Sequence, residues 1–185
     1  MNRVRLVFSG SGGQGVITAA IILAEAAVIH EGKNATQSQS YGAAARGGST
    51  RSDIIISETE IDFPEVMQPN ILVCLTQDSY NTYSSIIRPG GILLTDSRYV
   101  ETTRKVDAKQ IELPMYDSVM KNIGKPVVFN ICVLGSLISI TEVIKPKSVL
   151  AAVVSKVPKD FIELNTQAFE LGLELGADFS WHKKD

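Results

Sequence analysis

The residues best placed to do chemistry fall in two glycine-rich stretches near the start of the chain. The first reads Phe8-Ser9-Gly10-Ser11-Gly12-Gly13-Gln14-Gly15-Val16, with four glycines inside six residues. An apolar run (Val4, Leu6, Val7, Phe8) precedes it, and an Ala- and Ile-rich run from Ile17 to Ile29 follows. That order predicts a strand, a tight turn and a helix. Glycine permits positive φ and lets another group come close to the backbone. The start of the helix offers free N–H groups and the positive end of its dipole. Gly10, Gly12, Gly13, Gln14 and Gly15 are therefore a candidate anion site. The spacing satisfies G-x-G-x-x-G, a weak signal alone that its strand-and-helix context strengthens. The competing reading is a tight turn that binds nothing.

The second stretch runs Gln37-Ser38-Gln39-Ser40-Tyr41-Gly42-Ala43-Ala44-Ala45-Arg46-Gly47-Gly48-Ser49. Ser40, Tyr41, Gly42, Arg46, Gly47 and Gly48 set an aromatic ring and a fixed cation among glycines. Arg recognises phosphate or carboxylate with two parallel bonds, and Arg51 adds a second cation nearby. This is the composition of a binding or subunit-docking loop; the alternative is a surface loop with a solvated Arg. No nucleophile–base–orienter set can be assembled for Ser40, Ser49 or Ser79, because of the two histidines His30 closes the first helix and His182 sits in the charged tail. No H-E-x-x-H, P-loop lysine or carboxylate pair occurs. Catalytic residues: none. Metal ligands: none, since C-x-x-C is absent and Cys74 and Cys132 sit inside apolar runs as buried thiols. Asp96 ends a strand, where an acid more often caps a turn than binds a ligand. A dinucleotide site would want an acid after the second strand; Thr36-Gln37-Ser38 stands there, which disfavours NAD.

The elements that must hold these residues form an alternating series. Strands are expected at Arg3–Phe8, briefly at Asn34–Thr36, at Ser52–Ser57, Asn70–Leu75 and Ile92–Thr95, and within Val106–Leu113. Residues 37–49 are expected to form a loop. Helices are expected at Val16–Ile29, Gln77–Ile87 with Thr76 as cap, Pro114–Ile123 and Asn130–Thr141, then one from Pro146 and a last one opened by Asp160. The Asn130–Thr141 helix is hydrophobic, with Val133, Leu134, Leu137 and Ile138 on a face. Alternating strand and helix predicts an α/β fold, a Rossmann-like open sheet, mostly parallel, with flanking helices in a single domain spanning residues 1–185. The 185 residues, 44% apolar and with net charge -2, suit one ordinary globular core and give no footprint for nucleic acid. No apolar run suggests a signal peptide or membrane span, and two free cysteines fit a reducing, cytoplasmic setting.

Gly10-Ser11-Gly12-Gly13-Gln14-Gly15-Val16, followed by Ser40-Tyr41-Gly42 and Arg46-Gly47-Gly48, resembles the gamma subunit of 2-oxoacid:ferredoxin oxidoreductases. Asp62-Phe63-Pro64, the strand at Ile71–Leu75 followed by Gln77, Gly90-Gly91 and Asn130 extend the match over nearly the whole chain. Thr36 to Gly42 looks most like the 2-oxoglutarate branch, with the pyruvate and branched-chain branches next. Ala43-Ala44 departs from the Pro-Glu frequent there in the family. The resemblance implies a non-catalytic subunit, inactive alone, that packs on alpha and beta subunits and in some complexes works beside a delta subunit. It implies thiamine diphosphate, Mg2+ and iron–sulfur clusters held by other subunits, and ferredoxin met through the complex. The related domain of single-chain members helps form the coenzyme A site, so the first Gly-rich turn is a candidate coenzyme A site here. A stand-alone Rossmann-like nucleotide-binding oxidoreductase and a purely structural subunit stay open, as does homo-oligomerisation of the isolated chain.

Overall fold

A computed structural model describes residues 3–41 and 49–179. The strands are β1 (Arg3–Ser11), β2 (Asn34–Tyr41), β3 (Ser49–Ser57), β4 (Ile71–Cys74), β5 (Gly91–Asp96) and β6 (Ala108–Leu113). They form one sheet in the order β2-β3-β1-β4-β5-β6. β1, β4, β5 and β6 run parallel, whereas β3 is antiparallel to both of its neighbours, β1 and β2. The helices are α1 (Val16–Glu25, continued by a π-helical turn Ala26–His30), α2 (Gln77–Tyr83), α3 (Met115–Asn122), α4 (Phe129–Thr141), α5 (Pro146–Lys156) and α6 (Ile162–Gly176).

Near-continuous apolar runs became the central strands because both faces of the sheet are covered. In β1, Leu6 and Phe8 face a large core shared with α1, α3, α4, α5 and α6, while Val7 faces a smaller one closed by Tyr80 of α2, Val66 and Val100. Asp160, expected to open the last helix, lies instead in a 3-10 turn (Lys159–Phe161) and caps nothing; α6 starts at Ile162. The other predicted helix signals hold. Thr76 accepts the Ser79 N–H at 3.2 Å in a capping box, and Pro146 opens α5. After the π-helical turn, Gly32 takes φ +64° and the Lys33 N–H closes onto the Ala27 carbonyl.

An expectation about the strands is also corrected. The brief strand at Asn34–Thr36 is eight residues long and continues to Tyr41, and β3 begins at Ser49 rather than Ser52, so much of the expected 37–49 loop is strand. β2 is the outermost strand, needs no apolar alternation on its wet side, and is held by its ladder to β3 and by Gln37 Nε2 donating to Ser52 Oγ at 2.7 Å. α4 is the hydrophobic helix expected: eleven of its thirteen residues are buried, because α1, α3, α5 and α6 all pack around it.

Candidate functional site

The two faces of the sheet are entered in turn. The connection after β1 carries α1 to the large-core face; the connection after β4 carries α2 to the other. The crevice between the carboxyl ends of β1 and β4 is therefore a topological switch point, where open α/β sheets take their ligands. The first Gly-rich turn lies there.

Its five candidate residues divide by role. Gln14 is a brace: its Oε1 accepts the Ser11 N–H at 2.7 Å and its Nε2 donates to the Leu75 carbonyl at 3.1 Å, tying the end of β1 to the chain just past β4. A side chain on Gly10 would come within 2.5 Å of that same Oε1. Gly15 caps α1 at φ +72°, and a Cβ there would stand 2.6 Å from the Asn130 side chain. Gly10, Gln14 and Gly15 thus build the turn. Gly12 and Gly13 are exposed, and a Cβ on either would meet nothing within 4 Å. No side chain caps the N-terminus of α1, so its first N–H groups have no side-chain acceptor. Asn130, in the first turn of α4, donates to the Gly15 carbonyl at 3.4 Å, so the starts of two helices meet at this turn.

Ser11 lies opposite Ser49, and Gly10 lies opposite Thr50, which in turn pairs with Tyr41. The end of β2 and the start of β3 therefore lie at the same end of the sheet as the end of β1. Ser40 is exposed near the end of β2; Gly42, Arg46, Gly47 and Gly48 lie outside the described residues.

Arg51 is not a free second cation. It grips Asp53 with Nε at 2.6 Å and Nη2 at 2.9 Å, donates to the Val66 carbonyl at 2.8 Å and stacks over Tyr83. The Asp53 hydrogen bond, outweighing burial, holds the guanidinium above its ordinary pKa. Asp96 is fully buried, and burial raises its pKa although the N–H groups of Tyr116 and Arg98, at 2.8 and 3.0 Å, favour its charge. It caps the turn after β5 and the start of α3. Cys74 and Cys132 lie in different cores, and burial pushes both thiols up to about 12. Among the described residues no group of three His, Cys, Asp or Glu could hold a metal, and no helix is long and apolar enough to cross a membrane. A cavity of about 620 Å³ opens at the other end of the sheet, by Val4, Ile71 and Ile92. Its Lys33 already bridges Glu31 and the Val143 carbonyl. Sequence reading missed the bracing role of Gln14 and the meeting of Asn130 with Gly15; the one signal for the latter was an amide opening an otherwise apolar helix.

The fold is an α/β domain with a glycine-rich turn at the switch point of its sheet. The chain belongs to the pyruvate ferredoxin/flavodoxin oxidoreductase family, whose pattern matches residues 5–175. It is 40% identical to the 2-oxoglutarate synthase subunit KorC of Methanocaldococcus jannaschii, over 95% of each chain. The ketoisovalerate oxidoreductase subunit VorA of Methanothermobacter marburgensis is 31% identical over 74% of this chain but only 28% of its own. The crystal structure of a keto/oxoacid ferredoxin oxidoreductase gamma subunit from Geobacter sulfurreducens superposes with a TM-score of 0.88 at 38% identity, over 96% of this chain and 98% of that one.

Proposed function

We infer that the chain is the gamma subunit of a 2-oxoacid:ferredoxin oxidoreductase that acts on 2-oxoglutarate. The observation that carries this is end-to-end agreement with KorC and with a gamma subunit, over nearly the full length of all three chains. The complex would convert 2-oxoglutarate, coenzyme A and two oxidised ferredoxins to succinyl-coenzyme A, carbon dioxide and two reduced ferredoxins, with release of a proton. Thiamine diphosphate, with Mg2+, supplies the decarboxylation chemistry on the alpha and beta subunits. Clusters on beta or delta carry the electrons, since two cysteines buried in separate cores cannot ligate one. What this chain contributes is shape and positive polarity: the uncapped start of α1, with room above Gly12 and Gly13, takes a phosphate of coenzyme A, and Arg46 supplies a cation from the neighbouring segment.

Reconstitution tests the reading. Complex assembled with this chain should reduce ferredoxin in the presence of 2-oxoglutarate and coenzyme A, whereas alpha and beta without it should lose that activity. Full activity without the chain, or a preference for pyruvate or ketoisovalerate, overturns the assignment. Arg46→Ala should raise the coenzyme A concentration required by about one to two orders of magnitude, the value of a charge-assisted bond. Unchanged coenzyme A dependence would make Arg46 a solvated surface residue.

A further inference from the structure

The amino ends of the parallel strands carry polar groups that the reaction above does not use. Asn70 stands just before β4 and is only 8% exposed. Its Oδ1 accepts the Arg5 N–H at 3.0 Å, which fixes the way round of the amide. Nδ2 is left as the free group, with no hydrogen-bond partner among the described residues. Buried amide donors are normally paired, so this one calls for an acceptor. Asn70 lines the cavity of about 620 Å³ at this end of the sheet. Arg88 lines the same cavity, and its guanidinium makes no ion pair or hydrogen bond among the described residues. Backbone bonds hold the two residues together: the Arg88 N–H donates to the Pro69 carbonyl at 3.1 Å, and the Ile92 N–H to the Asn70 carbonyl at 2.9 Å. Gly91 permits the approach, because a Cβ there would stand 2.8 Å from that Asn70 carbonyl. A fixed amide donor beside an unpaired guanidinium suits a carboxylate.

The rest of the lining says what the carboxylate is attached to. Val4, Ile56, Ile71 and Ile92, one each from β1, β3, β4 and β5, make the wall aliphatic. The volume lies within the range of small-ligand sites, about 300–1,000 Å³. Of the other charged groups in the lining, Lys33 is paired with Glu31, while Glu58 and Glu142 are negative. Glu58 follows β3 and Arg88 precedes β5, with β1 and β4 between them, so the two sides of the cavity differ in sign. A second negative group on the ligand would meet Glu58. We propose that this cavity binds a small aliphatic monocarboxylate, its carboxylate on Arg88 and Asn70 Nδ2 and its chain along the aliphatic wall. The site lies at the opposite end of the sheet from Gly12 and Gly13, and the proposal does not rest on the reaction inferred above.

The test uses the purified full chain, labelled for amide NMR and titrated with octanoate. The side-chain amide of Asn70 and the backbone amides of Gly90 and Gly91 should shift saturably. Octanamide, which keeps the chain and lacks the charge, should bind at least about tenfold more weakly, the value of a charge-assisted bond. Suberate, the dicarboxylate of the same chain length, should also bind more weakly, and Glu58→Gln should narrow that gap. Arg88 is exposed, so Arg88→Gln should keep the fold, read as an unchanged thermal midpoint, while weakening octanoate by about tenfold or more. Octanoate shifts that do not saturate or that avoid these residues overturn the proposal. So do equal affinities for octanoate and octanamide or for octanoate and suberate, a suberate gap indifferent to Glu58→Gln, and octanoate affinity indifferent to Arg88→Gln.

Discussion

Four glycines look alike in the sequence, yet each answers to a different physical demand. Gly12 has open space and no positive φ, so Gly12→Ala should leave the thermal midpoint nearly unchanged or raise it slightly by restricting the unfolded chain. Gly13 also faces open space, but at φ +87°, and its alanine variant should lose about 1–2 kcal/mol to backbone strain. Gly15 combines φ +72° with the Asn130 side chain 2.6 Å away, and Gly15→Ala should lose the most. Thermal unfolding of the three variants checks this order. Gly12→Ala should also raise the coenzyme A requirement of the assembled complex, with less effect on that for the 2-oxoacid; an unchanged requirement would leave the turn a purely structural one. Gln14→Ala leaves the Ser11 N–H and the Leu75 carbonyl without their partner and should cost about 1–3 kcal/mol.

At the scale of elements, the tightest packing is between α4 and α6. A Cβ on Gly135 would come within 2.2 Å of the Phe169 carbonyl, and one on Gly172 within 2.1 Å of the Cys132 carbonyl. The two helix backbones therefore touch where glycine removes the side chain. Gly172→Ala must push the helices apart and should cost about 3 kcal/mol, the upper end of ordinary overpacking, read as a fall in the denaturant midpoint. Glu31 joins other elements: it accepts the Lys145 N–H at 2.6 Å and pairs with Lys33 at 3.0 Å, linking the start of β2 to the start of α5. Burial opposes its charge, but the Lys145 N–H and Lys33 outweigh burial and hold its pKa below the ordinary 4.5. Its stabilisation is therefore full above that value and falls away as the pH drops through the lowered one. Glu31→Gln should be less stable than the natural chain at neutral pH, and the difference should shrink in acid. The central strands and helix caps were legible because hydrophobic runs and capping residues act within a few positions. The length of β2 was not, since an edge strand is specified by its partner rather than by its own pattern. Nor was the tie from Arg51 to the Val66 carbonyl, fifteen residues on. In the site, the glycines that build the turn could not be told from those that leave room, because that distinction is made by Gln14 and Asn130.

For the molecule as a whole, one sheet separates two cores of unequal size, and each holds one cysteine: Cys132 in the larger, Cys74 in the smaller. Both thiols are pushed up by burial to about 12 from an ordinary 9.0. The native state keeps these protons where the unfolded chain has released them. Stability should therefore fall as the pH rises above about 9, until the folded thiols themselves titrate near 12. A double variant with both cysteines replaced by alanine should lose this part of the alkaline slope. The same two thiols report cooperativity. β1 and β4 contribute residues to both cores, Leu6 and Ile71 to one, Val7 and Leu72 to the other, so neither face can be lost while the other keeps its wall. Labelling with a thiol reagent in increasing denaturant, read by mass spectrometry at each cysteine, should therefore give coincident transitions for Cys74 and Cys132. Earlier labelling of Cys74 would show that the smaller core, closed by one short helix and the segment that Arg51 pins, opens on its own.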